Sequence, residues 1–295
     1  MPAIFYTLSN KFKIIFFIIF IQFLFSASAL ASDSTDQIID TYDKNDLASK
    51  PPFKGGFINF GYWKNVLSAQ KNNKLSEADR AQASLDLYKY LISHLNIQTS
   101  DKILEVGCGL GFGCKYLNET NKFSELTCID ITPRQIERAR ILHKDLINQI
   151  IKFEVGSADN IKQPANSLDK IYSVEAAQYF PSMKNFASEA FRVLKPGGTL
   201  AIVAHYSTSE IGYENTKKLL PTVAHNIDKM IPINQVRDVF VKSGFKEIKF
   251  EPIGQNVFKG FDMWISQVED EPWAHNIYKL YLNGDIDYYL IVLQK

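Results

Sequence analysis

Short apolar runs alternate with longer amphipathic stretches through most of this 295-residue chain. Runs of apolar residues bounded by turn residues are typical of buried strands, and apolar residues at every third or fourth position predict helices. The predicted strands are 103–106, 126–130, 151–155, 168–175, 199–205, 245–253 and 288–293. The predicted helices are 76–94, 115–121, 134–146, 183–194 and 234–243. Alternation of strands and helices predicts an α/β fold built on a parallel sheet.

Glycines stand at every second position directly after the first predicted strand, at Gly107, Gly109, Gly111 and Gly113. Glycine has no Cβ, so the backbone can turn sharply there and a ligand can approach the main chain closely. Glu105 precedes these glycines, and Asp130 ends the next apolar run. In nucleoside-binding βαβ units, an acid at the tip of the second strand binds the ribose hydroxyls. The pattern therefore predicts a ligand that contains a nucleoside.

The glycine spacing separates two classes of cofactor. The dinucleotide pattern G-x-G-x-x-G, counted from Gly107 or from Gly109, requires glycine where this chain has Phe112 or Cys114. The spacing Glu-x-Gly-x-Gly-x-Gly instead resembles the first motif of the class I S-adenosylmethionine (SAM) methyltransferases. An NAD-dependent oxidoreductase remains the alternative, which binding of a reduced nicotinamide cofactor would reveal.

The resemblance extends over residues 55–295 and implies a fold. Asn-x-Gly-Tyr-Trp at 59–63 and Leu-Lys-Pro-Gly-Gly at 194–198 also match this family. The family's fold is a doubly wound, mostly parallel, seven-stranded Rossmann-like sheet, here with an N-terminal helical lid (55–75) and inserted caps (206–233 and 254–287). Residues 288–293 are expected to form its antiparallel strand.

The resemblance also implies how SAM is bound. The glycine loop lies under the methionine part, Asp130 binds the ribose, and Ala158 with Asp159 contacts the adenine amino group; a helix N-cap is a second role for Asp159. The expected cofactor-binding residues are Glu105, Gly107, Cys108, Gly109, Gly111, Asp130, Ile131, Ala158, Asp159, Glu175 and Tyr62. Methyl transfer is an in-line displacement that needs no metal.

Residues 174–181, Val-Glu-Ala followed by a proline, resemble the lipid, polyketide and sterol branch of the family. Some members carry a Ser-His or Cys-His pair in this segment, where this chain has Ala177-Gln178. Glutamine is not a base at neutral pH, so methylation at O, C or N stays open. The candidate catalytic residues are Glu175, Gln178 and His205. The candidate substrate contacts are Trp63, Tyr179, His205 and Phe261.

The composition of the chain limits the class of acceptor molecule that we expect. The formal net charge is +1, so no strong field would gather nucleic acid. Aromatic residues make up 13% of the chain, and many lie near the C-terminus. Together they predict an apolar pocket wall and a small-molecule or lipid-like acceptor.

The N-terminus has the layout of a secretory signal peptide over 1–31, followed by a polar lead-in over 32–54. Lys11 and Lys13 precede the apolar stretch 14–25, and Ala29-x-Ala31 predicts cleavage after Ala31. We expect the protein in the secretory pathway, the periplasm or the medium. The alternative is an uncleaved anchor through 14–25, with the enzyme facing the cytosol, where SAM is made. An exported SAM- or lipid-binding protein without turnover is the alternative function.

The three cysteines do not predict a disulfide framework. Cys108, Cys114 and Cys128 are odd in number and fall in the predicted nucleotide-binding core. They are expected to be small buried residues that form neither a disulfide nor a metal site.

Overall fold

The computed structural model describes residues 36–40, 47–70, 74–147, 150–268 and 272–295. Its strands are β1 (Lys102–Val106), β2 (Glu125–Asp130), β3 (Ile151–Val155), β4 (Leu168–Val174), β5 (Leu194–Ser207), β6 (Lys246–Pro252) and β7 (Ile286–Gln294). Its helices are α1 (Lys64–Ala69), α2 (Glu77–Ile92), α3 (Phe112–Thr120), α4 (Pro133–Leu142), α5 (Met183–Val193), α6 (Glu210–Leu219), α7 (Pro221–Ala224), α8 (Ile233–Lys242), α9 (Phe258–Val268) and α10 (Pro272–Leu282).

The strands of these ranges form one seven-stranded sheet in the order β3-β2-β1-β4-β5-β7-β6. The first five are parallel, and β7 runs antiparallel to both of its neighbours. This architecture confirms the predicted doubly wound fold. The strand order reverses between β1 and β4, so a crevice opens at their carboxyl ends, where such sheets bind ligands.

Strand alternation sends side chains to two cores, one on each face of the sheet. From β1, Ile103 faces the core packed by α2, α3, α4, α9 and α10, while Leu104 and Val106 face the core packed by α5 and α8. The lid and the C-terminal cap therefore cover the first face. Glu105 points to that face as well and is fully buried there.

Local sequence signals determine where most of the helices and strands begin and end. Ser76 and Asp79 form the predicted capping box at the start of α2, with Oγ of Ser76 accepting from the Asp79 N–H at 3.1 Å. The helix predicted over 134–146 ends at Leu142, because His143 leaves helical geometry and its Nε2 lies 2.9 Å from the Leu110 carbonyl oxygen. β5 begins earlier than predicted, because Leu194 pairs with Leu168 of β4 and the Gly197 N–H donates to the Lys295 carbonyl at 2.8 Å beside the end of β7.

The structure corrects the expectation for the cysteines. Cys114 of α3 and Cys128 of β2 form a disulfide with a Cα–Cα distance of 6.7 Å, and Cys108 is free. Parallel pairing places Cys128 beside Glu105, on the face where α3 packs. Cys114 Sγ lies 2.8 Å from Glu105 Oε2. These three groups could offer ligand atoms to a metal only with the cysteines reduced, and the disulfide removes both thiolates.

Loss of this disulfide is expected to lower the free energy of unfolding by about 3 kcal/mol, the loop-closure entropy expected for about 15 residues, and the bridged residues are 14 apart. Urea unfolding of the oxidised protein and of Cys128→Ser measures this difference. Reductant should bring the wild type down to the variant, leave the variant unchanged, and act on Cys108→Ala as on the wild type. Equal stability of Cys128→Ser and oxidised wild type would contradict the bond.

The predicted signal segment 1–31 and residues 32–35 and 41–46 of the lead-in lie outside the described residues. From the lead-in, residues 36–40 form one helical turn that buries Ile38. Within the described ranges, none of the helices has the length and apolar content of a membrane span.

Candidate active site

A crevice lies at the carboxyl ends of β1, β2 and β4, at the point where the strand order reverses. The glycine loop after β1 forms its floor, and the segments after β2, β3 and β4 form its sides. The lid supplies Gly56, Phe57 and Ile58, and Ile38 from the N-terminal lead-in also lines the crevice. The crevice is thus covered by chain from outside the nucleotide-binding core.

The glycine loop is held by backbone hydrogen bonds and leaves one position open. The N–H groups of Gly107 and Cys108 donate to the Ile129 carbonyl at 2.8 and 3.0 Å. Gly107 has φ +79°, and a Cβ there would lie 2.2 Å from Ala176 Cβ, so the loop packs tightly against the segment after β4. Gly109 has φ +50°, and a Cβ there would meet no atom within 4 Å. Gly109 therefore presents bare backbone to the crevice.

Asp130 lies at the tip of β2 and braces this loop. Its Oδ2 accepts from the Gly109 N–H and its Oδ1 accepts from the Thr132 N–H, each at 2.9 Å. Because each carboxylate oxygen has two lone pairs, both can also accept from the hydroxyl groups of a ligand. The acid that the sequence predicted for a ribose therefore lies beside the open glycine.

These features fit SAM. The unfilled space over Gly109 admits the methionine part, Asp130 can accept from the ribose hydroxyls, and Gly156 with Ala158 lines the side where the adenine would lie. When bound, SAM supplies an electrophilic methyl group on a sulfonium. Apolar contacts from Phe57, Ile58 and the segment after β4 would exclude water from it.

Many of the predicted site residues line this crevice, and the others lie behind it. Those that line it are Gly107, Cys108, Gly109, Asp130, Ile131, Ala158, Glu175 and Tyr179. Those outside its wall are Glu105, Gly111, Asp159, Tyr62, Trp63, Gln178, His205 and Phe261. Gly111 instead begins α3 at φ +77°, and the Asp159 carboxylate accepts from the Ser157 hydroxyl.

Glu105 lies beneath the crevice and not within it. Its side chain follows the strand alternation to the opposite side of the loop, where Tyr172 and Tyr88 donate to it at 2.9 and 3.1 Å. Burial raises the pKa of Glu105 to about 8, although these hydroxyls partly offset the shift. Glu105 is therefore protonated at neutral pH and supports the loop through Tyr88, which lines the crevice.

The aromatic side chains predicted to cover the cofactor pack elsewhere. Tyr62 stacks on Tyr90 with ring centroids 4.6 Å apart, and Trp63 is fully buried with its indole N–H donating to the Phe60 carbonyl at 2.7 Å. Gly56 and Gly61 adopt positive φ and reorient the chain between them. As a result, Phe57 and Ile58 face the crevice in place of Tyr62 and Trp63.

Glu175 connects the crevice with a buried polar cluster behind it. It follows β4 with φ +47°, a left-handed conformation that side chains other than glycine rarely adopt, and such strain is common at functional sites. Its Oε2 accepts from the Phe60 N–H at 2.8 Å. Burial raises the pKa of Glu175 to about 7, opposed by His205, Tyr288 and Arg80.

Arg80 of α2 is fully buried and ties the lid to this cluster. Its Nε donates to the Pro52 carbonyl at 2.9 Å, and its two terminal nitrogens donate to the Ser84 hydroxyl and the Asn59 carbonyl. Burial lowers the pKa of Arg80 to about 10, opposed by the charge of Glu175. Arg80 therefore stays cationic at neutral pH and balances Glu175.

An aromatic stack separates the crevice from the C-terminal cap. The Phe60 ring lies between His205 and Phe261, with centroids 5.2 and 4.3 Å away. Phe261 of α9 belongs to this stack but does not line the crevice, and Phe60 lies between it and His205. Gln178 is buried and donates to the Glu175 carbonyl at 3.2 Å.

Sequence reasoning missed Asp228, which lies between α7 and α8. It is buried, and its Oδ2 lies 3.6 Å from His205 Nε2. No periodic pattern or motif marks this acid, since it lies in the insert after β5. A buried acid close to a predicted catalytic histidine is recognisable only from the fold.

The comparisons agree with this geometry. A family model described as "Methyltransferase domain" matches residues 104–202, which run from β1 to β5. Erythromycin 3''-O-methyltransferase from Saccharopolyspora erythraea is 28% identical over 77% of this chain and 74% of its own length. Sterol 24-C-methyltransferase ERG6A from Gibberella zeae is 30% identical over 56% of this chain and 44% of its own. The chain therefore spans about half the length of its sterol methyltransferase relatives.

Solved structures share the fold. Geranyl diphosphate C-methyltransferase from Streptomyces coelicolor A3(2), in complex with S-adenosyl-L-homocysteine, has a TM-score of 0.76 at 14% identity, covering 90% of this chain and 98% of its own. The [4+2]-cyclase SpnF has a TM-score of 0.68 at 19% identity, covering 90% and 97%. Its name shows that the fold alone does not fix the reaction. Together, the matched model and the relatives show a methyltransferase domain over residues 104–202, and the crevice in it fits SAM as the cofactor.

Proposed function

We propose that this protein transfers the methyl group of SAM to a small apolar or lipid-like acceptor. The observation that carries the proposal is the crevice beside the glycine loop, whose lining is largely apolar, includes Phe57, Ile58 and Phe180, and reaches Glu175. Pockets of this kind, apolar with few polar groups, suit hydrophobic small molecules. The relatives support it, since their names include methyltransferases of erythromycin, sterols and, in Mycobacterium leprae, phthiotriol dimycocerosates.

The chain's own groups would contribute mainly orientation and exclusion of water. The glycine loop and Asp130 fix the cofactor, while Phe57 and Tyr179 line the remaining wall. Holding two reactants in line lowers a barrier by about 7–11 kcal/mol, so a modest set of polar groups is sufficient. Glu175 is placed to face positive charge in the crevice. None of the comparisons favours a non-catalytic role.

The test is label transfer from methyl-tritiated SAM. Purified protein is incubated with geraniol, cholesterol or erythromycin, and the organic phase is counted. We expect protein-dependent label in the organic phase with at least one of these probes. If SAM binds but no label leaves the aqueous phase, the protein is not a methyltransferase for apolar acceptors.

We also propose that the protein is exported, with residues 1–31 as a signal peptide cleaved after Ala31. The small-residue pattern at Ala29 and Ala31 supports this, as does the disulfide between Cys114 and Cys128, because disulfides persist mainly in oxidising compartments. Mass spectrometry of the protein from its source tests the proposal. A mature chain that begins at Ser32 would support it, and an intact N-terminus would refute it.

A further inference from the structure

Buried polar atoms without hydrogen-bond partners gather behind Glu175. Among the described residues, they include Glu175 Oε1, Gln178 Oε1, His205 Nδ1 and Asp228 Oδ1. Each buried polar group without a partner costs about 1–3 kcal/mol. Such groups are rare in folded proteins, and a catalytic role is one of the explanations for them.

Backbone contacts show that these groups share one site. His205 of β5 pairs with Tyr288 of β7, with ring centroids 6.1 Å apart. The Glu175 N–H donates to the Val203 carbonyl at 2.8 Å, which places Glu175 beside the same end of β5. The Lys229 N–H donates to the Gln178 carbonyl at 2.7 Å, which brings the neighbouring Asp228 into the cluster.

We propose that His205, oriented by Asp228, is the general base for a hydroxyl group of the acceptor, so that the reaction is O-methylation. This inference rests on the proposed methyl transfer and adds the acceptor group, the base and Asp228 as a positioning residue. The segment after β4 carries Ala177 and Gln178, neither of which is a base at neutral pH. The histidine from β5 lies on the other side of Glu175 and supplies the missing base.

The geometry assigns the two ring nitrogens. Nε2 of His205 faces Asp228 at 3.6 Å, so the neutral ring is expected to keep its proton on Nε2. Nδ1 then carries the free lone pair. The Phe60 ring covers one face of the imidazole at a centroid distance of 5.2 Å and an angle of 4°. The Nδ1 lone pair lies in the ring plane, so the stacked Phe60 ring, whose N–H donates to Glu175 Oε2 at 2.8 Å, orients the imidazole without covering that lone pair.

The proposed methyl transfer needs no reactant besides SAM and the acceptor. The acceptor oxygen forms a bond to the methyl carbon, the carbon–sulfur bond breaks with its electron pair left on sulfur, and the hydroxyl proton passes to Nδ1 of His205. The imidazolium that results is stabilised by the carboxylates of Asp228 and Glu175. The proton leaves to solvent with the product.

The surroundings of His205 set the expected pH dependence. Burial lowers the pKa of His205, but Asp228 and Glu175 more than offset it, so the pKa is raised. The Tyr288 ring of β7 lies 6.1 Å from the imidazole, and Arg80 of α2 interacts with Glu175. The base is active when neutral, so the rate should rise with pH through a pKa above that of an ordinary histidine.

The experiment measures methyl transfer to geraniol, cholesterol and erythromycin, which carry hydroxyl groups, and to geranyl acetate and cholestane, which lack them. We expect transfer to a hydroxylated probe alone, and a loss of about 100-fold or more in kcat for His205→Gln, the usual contribution of a general base. Binding of S-adenosylhomocysteine should be unchanged. His225→Gln, at an exposed histidine of the same insert, is the matched control.

Asp228→Asn provides a readout that a structural role would not give. Without the Asp228 carboxylate, the pKa of His205 falls, so the acid limb of the kcat profile should move to lower pH while the plateau drops. In Glu175→Gln the acid limb should persist, because His205 is still present. Three results would each overturn the inference. They are retained methyl transfer in His205→Gln, loss of the acid limb in Glu175→Gln, and transfer to probes that lack a hydroxyl group. SAM bound without transfer to any hydroxylated probe would overturn it together with the proposed function.

Discussion

Replacing Gly109 with alanine is expected to weaken SAM binding by about 10- to 100-fold. The added methyl group points into crevice space that holds no protein atom within 4 Å, so it competes with the cofactor and not with the fold. Overpacking of this size costs about 1–3 kcal/mol, and each 1.4 kcal/mol is a factor of ten in affinity. Calorimetric titration of the variant with SAM measures the loss.

Gly197→Ala is the matched control for this substitution. Gly197 also has positive φ and open space around its Cβ position, but it lies at the amino end of β5, at the opposite edge of the sheet. Both variants should lose about 1–2 kcal/mol of stability from the left-handed backbone. Only Gly109→Ala should lose SAM. Equal affinities in the two variants would show that the cofactor does not approach this loop.

Asp130→Ala is expected to reduce SAM affinity by about 10- to 100-fold, because hydrogen bonds to a charged group are worth about 1.5–3 kcal/mol. The variant loses the acceptor for the ribose and the bonds that brace Gly109 and Thr132. It should remain folded, since Asp130 is only partly buried. Titration with S-adenosylhomocysteine should show the same loss, because the two ligands share the ribose.

Asp169→Ala separates the cofactor role of Asp130 from its structural role. Asp169 likewise accepts from a backbone N–H, that of Lys102 at 2.9 Å, but it does so near the amino end of β4. Its loss should lower stability and leave SAM affinity unchanged. An Asp130→Ala variant that binds SAM as the wild type does would mean that the strand-tip acid is not the ribose acceptor.

The fold was predictable because its signals are local. Apolar runs gave the strands, and the capping box at Ser76 gave the start of α2. The glycine spacing placed the crevice, and Gly107, Gly109 and Asp130 all lie where that motif requires. Each of these follows from the backbone of one βα unit, whose geometry hardly depends on the rest of the chain.

The features that the sequence did not predict correctly depend on contacts between segments that are distant along the chain. The aromatic run around Tyr62 predicted a lid, but which rings face the crevice is decided by the positive φ of Gly56 and Gly61 and by packing against α9. The bond between Cys114 and Cys128 depends on how α3 packs over β2. Glu105 follows a motif, yet strand alternation turns it away from the crevice.

Asp228 is another residue whose contacts could not be predicted from the local sequence. It is 23 positions from His205 in a stretch with no periodicity, and the pair is formed only when the insert after β5 folds back over the sheet. The sequence supplied the histidine at a strand end, where ligand-facing residues lie. The Asp228 carboxylate, which orients His205, is brought close to it only by the tertiary structure.

The central claim is that this crevice binds SAM for methyl transfer, and calorimetric titration of the purified protein with SAM and with S-adenosylhomocysteine tests it most directly. We predict that both ligands bind at one site with micromolar affinity and that each competes with the other. Absence of binding by either ligand would contradict the account and leave a methyltransferase fold without its cofactor.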